Sequence, residues 1–406
     1  MFRLRNPVKA YAWGSREAIA ALQGRPPSDE PEAELWMGAH PSAPSTLTVD
    51  GADAALDAAI AAAPGAVLGA ESERAFGPQL PFLLKVLAAA SPLSLQAHPS
   101  LAQAIAGFAR EEALGLSISA PERSYKDANH KPEVLCALTP FWALSGFRSA
   151  DAAARLLAAT GAPEAAPFVA RLRGRESSQE PEGERLRAVF LALFAHDDKA
   201  GLAAAVARGV PALEAAGYAD EARWTARLAE AYPGDVGVVV ALLLNLVRLE
   251  PGQALFLDAG NLHAYLEGTG IELMASSDNV LRGGLTKKHV DVTGLAEVLS
   301  FRAGGVPRAT RRATPEGAVE YLTSAREFRL SRLELGATEA RALQASTGPE
   351  IWLVTRGAVR VSRGDTSLTL GRGESALLPA GALPVEVTAE ATRATVFRAT
   401  TALSPA

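Results

Sequence analysis

Short apolar runs bounded by Pro, Gly and Ser alternate with Ala-rich stretches along the first 148 residues. Leu80-Pro-Phe-Leu-Leu-Lys-Val-Leu87 and Val134-Leu-Cys-Ala-Leu138 have the length and flanking breakers of buried strands. Helices are predicted over residues 15–22, over the Ala-rich 52–63, and over 100–112, where Ser100 stands as a cap ahead of Leu101 and Ile105. Near Ser149 the pattern changes to Ala, Leu, Arg and Glu at helical spacing. Asp151 is expected to cap a helix over 152–158. Leu186, Phe190, Leu193 and Phe194 are spaced to share one face, and residues 199–216 and 221–232 repeat the pattern. Strand text resumes later. Residues 252–258 read as a strand ending at Gly260, and His263 opens the next. Residues 305–315 read as a Gly/Pro/Arg/Thr linker. Beyond Val319, short alternating runs over 350–362, 367–370 and 374–381 are separated by glycine turns, the pattern of a sandwich or jelly roll. The fold class is mainly β with an α-helical insertion. A first β unit spans 1–148 and 236–304, the insertion spans 149–235, and a second β unit spans 316–406.

With 406 residues, the chain has room for two or three domains. The net charge is −5, and Lys and Arg do not cluster, which excludes nucleic acid and a membrane surface as expected partners. The longest apolar run, 236–247, is broken by Asn245 and is shorter than the roughly 20 residues needed to cross a bilayer. No apolar signal core follows Met1. Cys136 is the one cysteine, so neither an internal disulfide nor a cysteine-based zinc site can form, and a reducing, cytoplasmic setting is expected. Its apolar neighbours mark it as a buried structural thiol.

Candidate chemistry lies in three segments: Leu95-Gln-Ala-His-Pro99, Asn129-His-Lys-Pro-Glu133 and Gly260-Asn-Leu-His-Ala-Tyr265. Gln96, His98, Glu133 and His263 would supply an amide oxygen, two imidazoles and a carboxylate, a mixed set suited to zinc or another divalent first-row metal. On a strand, Gln96 and His98 face the same way. The six histidines are His40, His98, His130, His196, His263 and His289. No His or Cys follows His289, so the second β unit is expected to hold no transition metal and to be structural.

These segments sit in text that resembles the type I phosphomannose isomerase (mannose-6-phosphate isomerase) family nearly end to end. The resemblance runs through Tyr11-Ala-Trp-Gly14, Ala33-Glu-Leu-Trp-Met-Gly-Ala-His-Pro-Ser42, Leu80–Leu87, Leu93-Ser-Leu-Gln-Ala-His-Pro99 and Tyr125-Lys-Asp-Ala-Asn-His-Lys-Pro-Glu133. It ends in the 260–291 block with Ser277-Asp-Asn-Val-Leu-Arg282 and Gly284-Leu-Thr286. The helical region matches in composition only. The resemblance implies two cupin-type jelly-roll barrels plus a helical domain, and one Zn2+ per chain on Gln96, His98, Glu133 and His263. It implies a sugar phosphate substrate, mannose 6-phosphate or fructose 6-phosphate; a monomer is expected, though no sequence feature fixes it. Arg282 is then an active-site residue, with Lys85, Ser94, Tyr265 and Lys288 as substrate-binding candidates.

Aldose–ketose interchange moves a proton between C1 and C2 through an enediol. It needs a placed base and an electrophile for the enediolate oxygen. Lys131, Glu272, Asp278 and Lys85 are the candidate bases. Lys131 is favoured because it lies two residues before Glu133, on the same face of a strand, and Glu272 is second. Two other functions could use such a site. Oxygen uptake with iron would mark a metal cupin oxygenase. Sugar binding without turnover would mark a non-catalytic bicupin. Lys131, Asp278 and Arg282 together favour the isomerase, since a binding module needs no such set.

Overall fold

The computed structural model describes residues 1–49, 51–174 and 179–403. Its first sheet assembly is organised around one long strand, His263–Ala275. The Phe82–Ala89 strand runs antiparallel along the later half of that strand on one side, and Glu133–Ala137 on the other. Its first residues pair with Phe141–Phe147 and, at His263, with Gln96. Glu34–Met37 and Val8–Lys9 extend the sheet beyond Phe82–Ala89, while Ala254–Leu257 lies outside Glu133–Ala137.

Alternation along these strands decides what faces what. Phe82, Leu84, Val86, Val134, Cys136, Ile271 and Leu273 all enter one core, where they meet Tyr321, Phe328, Ile351 and Phe397 from the second β unit. Each such side chain contributes roughly 1.5–3 kcal/mol by leaving water. The intervening positions, Lys85, Glu133 and Glu272, therefore point to the other face. They are held there by the hydrophobic partners of their neighbours.

The second unit contains a seven-stranded and a four-stranded sheet. Trp352, Val354, Val359, Val361 and Leu370 fill the core between them. The expected strand text over 350–362 breaks at Gly357, whose φ of +70° lets the chain turn from Glu350–Arg356 in one sheet to Ala358–Arg363 in the other. Two features differ from the predicted boundaries. Thr310–Ala313, read as linker, is an exposed edge strand beside Val319–Leu322. Phe2–Leu4 pairs with Ser375–Leu378, which fastens the chain's first residues to the second unit.

The insertion is helical, as expected. Helices including Ala150–Ala159, Glu182–Ala195 and Ala219–Ala231 share a core with Leu144, Phe147, Leu262 and Leu266 of the first sheet assembly. Leu186, Phe190 and Leu193 are fully buried and Phe194 packs at the margin. Ser149, not Asp151, is the cap: its hydroxyl accepts from the Ala152 N–H, and Asp151 sits in the first turn, where its charge suits the helix dipole. The predicted 199–216 helix is two helices, separated at Gly209, where a Cβ would strike Thr160, with Pro211 at the start of the second. The apolar run from Val236 begins as a buried helix, Gly237–Ala241, before the strand Leu244–Leu249.

Three further differences lie in the first unit. Ala52–Ala55 is a strand paired with Thr46–Val49, and the helix begins only at Leu56. Strand pairing there overrides alanine's helix propensity. The helix expected over 15–22 is Ala18–Leu22, because the Ser15 hydroxyl accepts the Glu17 and Ala18 N–H groups ahead of it. The predicted 100–112 helix is Leu101–Ala113, closed by a reciprocal Ser100–Gln103 capping box. Among the described residues no helix is long and apolar enough to cross a membrane.

Candidate metal centre and substrate cleft

His98 and His263 are fixed by the same device. The Nδ1–H of His98 donates to the Asn279 carbonyl at 2.9 Å, and that of His263 to the Asn261 carbonyl at 3.0 Å. Each ring therefore turns an unprotonated Nε2 toward Glu133: His98 Nε2 is 3.3 Å from Oε1, and His263 Nε2 is 3.6 Å from Oε2. Both Nε2 atoms are buried and lack a hydrogen-bond partner. Two buried lone pairs aimed at a carboxylate are costly unless a cation sits among them. Burial lowers the His98 pKa to about 4, so the ring stays neutral as a ligand must. Burial works against the Glu133 carboxylate, yet its neighbours hold its pKa well below the usual range, and with His98 neutral the charge that does so is that of Lys131. The three donor atoms lie within 4.8 Å of one another. Gln96 is next to them, paired across the ladder with both His263 and Arg282. These residues fit a zinc ion, with backbone carbonyls orienting the imidazoles from behind.

A buried charge chain flanks the metal donors. Lys85 Nζ is 3.0 Å from Glu272 and 3.6 Å from Glu34. Burial alone would lower the Lys85 pKa, but the carboxylates of Glu272, Glu34 and Glu133 outweigh it and hold it above the ordinary lysine value. Lys85 is thus a permanent cation. Burial raises the pKa of Glu272 despite Lys85. Lys131 Nζ lies 3.2 Å from Glu133 Oε1, although the strand begins only at Glu133 and Lys131 precedes it, so the contact comes from the loop and not from a shared strand face. Tyr265 is buried beside the metal donors, its hydroxyl 3.5 Å from Glu133 Oε2, and like His98, Glu133 and His263 it lies beneath the residues that line the cleft. Glu272 likewise sits behind Lys85 rather than on the cleft wall.

The cleft above these groups has a volume of about 490 Å³. Tyr11, Trp13 and Trp36 line it, as do Ser94, Gln96, Lys85 and Lys131. Arg282, Lys126, Lys287 and Lys288 border it too, and none of the four has an ion-pair partner among the described residues. Their charges oppose one another: the Lys288 pKa is lowered chiefly by Arg282, and that of Arg282 by burial. Clustered, unpaired cations of this kind call for an anionic ligand. Asp278 also borders the cleft, its carboxylate 3.4 Å from His40 Nε2, and that contact lowers its pKa.

A mannose-6-phosphate isomerase of Escherichia coli K12 is 38% identical over 404 residues, covering 98% of this chain and 99% of the relative. One of Salmonella typhimurium LT2 is 38% identical over 405 residues, with the same coverage. The family model for the catalytic domain of phosphomannose isomerase type I matches residues 1–150. The chain belongs to the type I phosphomannose isomerase family. A solved mutant of phosphomannose isomerase from Salmonella typhimurium matches 99% of this chain and all of its own, at 35% identity and a TM-score of 0.89. A zinc-bound holo mannose 6-phosphate isomerase matches with a TM-score of 0.88, at 35% identity and 99% coverage of both chains. Similarity to the phosphomannose isomerases thus extends through the helical region, where the sequence motifs fall silent.

Several cleft residues of this family member carry no metal-ligand or acid–base spacing and were not singled out from sequence. Lys126, His40, Glu34 and Trp36 lie inside the segments that carry the resemblance, but nothing in their spacing marks them. Asn279 is the least legible. It is fully buried, its amide donates to the carbonyls of Asp127 and Asn129 at 2.8 Å each, and its side-chain oxygen accepts from Lys126 N at 2.7 Å. It therefore locks the loop before Lys131 to the one before Arg282, while its own carbonyl orients His98.

Proposed function

We propose that this chain is a mannose-6-phosphate isomerase, interconverting mannose 6-phosphate and fructose 6-phosphate, with Zn2+ held by Gln96, His98, Glu133 and His263. The observation that carries the reading is the pair of imidazole nitrogens facing Glu133 beside a cleft bordered by Arg282, Lys126, Lys287 and Lys288, all of them without partners among the described residues. When bound, zinc would supply Lewis acidity toward the substrate's C1 and C2 oxygens.

The chain's own residues divide the remaining work. Arg282, with Lys288, Lys126 and Lys287, receives the phosphate, and Ser94 borders the same space. Arg282 offers a planar fork to the phosphate oxygens. Lys85, kept cationic by two carboxylates, offers a fixed positive charge to the developing enediolate. Lys131 is the favoured carrier of the proton between C1 and C2, since it both borders the cleft and touches Glu133. Glu272 remains the second choice and would have to act past Lys85. Asp278 is held by His40 and is less suited to take a proton. Tyr265 is a positioning residue for Glu133 rather than a substrate contact.

The reading includes two cupin-type jelly rolls, one over 1–148 and 236–304 and one over 316–406, with the helices of 149–235 inserted. It also keeps the chain a cytoplasmic monomer, consistent with its single, unpaired cysteine. The relatives named above are isomerases, which leaves the oxygenase and the non-catalytic binder without support. A coupled assay of the purified protein on mannose 6-phosphate tests the proposal. Turnover is expected, lost on chelation and restored by zinc. Absence of turnover in zinc-replete protein would overturn it.

A further inference from the structure

The second β unit repeats, in its own sheet, an arrangement found in the substrate cleft. In the cleft, Glu34 accepts a hydrogen bond from Trp36 Nε1 at 2.6 Å, and Trp36 stands opposite Lys85 on the neighbouring strand. Lys85 Nζ lies 5.2 Å from the Trp36 ring centre and pairs with Glu34. In the second unit, Glu350 accepts from Trp352 Nε1, and Trp352 stands opposite Arg398 on the neighbouring strand. The Arg398 guanidinium lies 5.1 Å from the Trp352 ring centre and pairs with Glu350 at 2.8 Å. Both sequences read Glu-x-Trp, and both cations occupy the same ladder position. Glu350 is only 1% exposed, yet with Arg398 it borders a cavity of about 220 Å³.

The differences between the two places indicate what the cavity accepts. On the far side of Lys85 the first sheet places Glu272. The corresponding position opposite Arg398 is Ser331. A hydroxyl thus replaces the second carboxylate, and Arg398 Nε is left buried with no hydrogen-bond partner. Ser331 borders the same cavity and its hydroxyl makes no hydrogen bond among the described residues. Donor and acceptor capacity therefore remains open, as it does beside the metal donors.

Charge excludes a phosphate. Each guanidinium on the cavity wall is already matched, Arg398 to Glu350 and Arg329 to Glu320, and Glu320 also pairs with Arg312. Glu316 adds a carboxylate that forms no ion pair among the described residues, Arg341 meeting only its backbone carbonyl. An anion would have to break an ion pair and approach an acid. A neutral polyhydroxy compound needs neither: its oxygens accept from the guanidiniums while its hydroxyls donate to the carboxylates they face. No His or Cys follows His289, so the place has no metal donors of those kinds.

We infer that the Glu350–Arg398–Ser331 cavity of the second β unit is a binding site for a neutral monosaccharide or sugar alcohol, separate from the substrate cleft. Affinity should be modest, with half-saturation on the order of 1 mM, as small polar ligands give.

The test titrates the full-length, zinc-loaded protein with mannose and mannitol by saturation-transfer NMR, with inorganic phosphate and mannose 6-phosphate as the anionic comparison. Saturable binding of a neutral sugar is expected, and it should survive Lys85→Met, which alters the cleft. Ser331→Leu fills the cavity without stranding a charge. It should weaken that binding at least about tenfold while leaving isomerase turnover unchanged. Should Ser331→Leu fail to fold, Arg329→Ala serves instead, since Glu320 keeps Arg312, and it should weaken binding several-fold. Three results would overturn the inference. One is no saturable binding of either neutral probe up to roughly 50 mM. Another is binding lost in Lys85→Met but retained in the cavity variants. The third is inorganic phosphate competing for the cavity.

Discussion

Glu327 Oε1 lies 2.8 Å from His130 Nε2, which joins the turn before Arg329–Leu335 in the second β unit to the segment carrying Lys131 and Glu133. The histidine that sits between the metal-binding and cleft-lining motifs is thus held from the other unit. Glu327 touches no substrate and acts through His130, so it is a positioning residue.

Burial would raise the Glu327 pKa, but the His130 contact and local backbone N–H groups outweigh it and bring it below the usual glutamate range. A lowered folded pKa means that the stabilisation is present above that range and is lost as pH falls through the folded value. Glu327→Ala should therefore be less stable than wild type by about 1 kcal/mol near neutral pH. The gap should close in acid. Thermal unfolding of both proteins across acidic and neutral pH measures it, and a gap independent of pH would refute the role. Turnover should fall several-fold with zinc content intact.

His263→Ala removes one of the imidazoles facing Glu133. Zinc affinity should drop by at least about 100-fold, beyond the usual effect of removing an orienting group. Elemental analysis after dialysis checks this, and full occupancy with full activity would sink the ligand assignment. Asn279→Ala should weaken zinc less, by roughly 10-fold, since the carbonyl that orients His98 remains while its loop loosens.

Arg282 forms no ion pair among the described residues, so its charge is expected to matter to the substrate more than to the fold. Arg282→Ala should cut turnover by roughly 100-fold or more, with unfolding temperature and zinc content near wild type. Arg282→Lys keeps the charge without the fork and should recover part of the activity. If both variants unfold or lose zinc, the residue is structural.

Turnover in deuterated water should place some label at the exchanging carbon. Lys131→Met should abolish exchange and turnover together while the sugar phosphate still binds. Persistence of exchange in that variant, with its loss in Glu272→Gln, would reassign the proton to Glu272. Complete absence of label in the wild type would favour a hydride shift.

Cys136 is fully buried, its thiol directed at the Tyr321 hydroxyl 3.0 Å away, and burial pushes its pKa up to about 11. A thiol reagent at neutral pH should label the native protein negligibly and label one site per chain in urea. A raised folded pKa means that stability is intact below the ordinary thiol range and is lost as pH rises toward 11. The loss should amount to up to about 3 kcal/mol. Cys136→Ala should flatten that alkaline decline.

The candidate donors His98, Glu133 and His263 could be picked out from sequence because His is scarce, but strand spacing did not bring Lys131 to Glu133, since Lys131 lies just ahead of the strand. The helical insertion was equally plain from its 3.6-residue pattern. What stayed hidden depended on partners. Ala52–Ala55 looks helical by composition until Thr46–Val49 pairs with it, and Thr310–Ala313 looks like linker because an exposed edge strand needs no apolar face. Tyr265 follows His263 by two residues and so shares its face, but only the packing reveals that this face there lies beneath the residues that line the cleft.

His263 and Glu272 are nine residues apart, an odd interval that would put them on opposite faces of a regular strand. They serve the same side because the register against Phe141–Phe147 slips between Tyr265 and Glu267, inserting one extra residue. Gly268 follows, with a φ of +131° and no space for a Cβ against Phe141. Deleting Leu266 would straighten the pairing and could give a better-ordered sheet, yet the metal donor and the buried acid would part company. The irregularity thus sets a counting rule on the gene: this interval tolerates no gain or loss of a single codon, whereas the loops joining the helices can lengthen freely. Among descendants of this chain, drift in length should accumulate in the loops joining the helices and not along these thirteen residues.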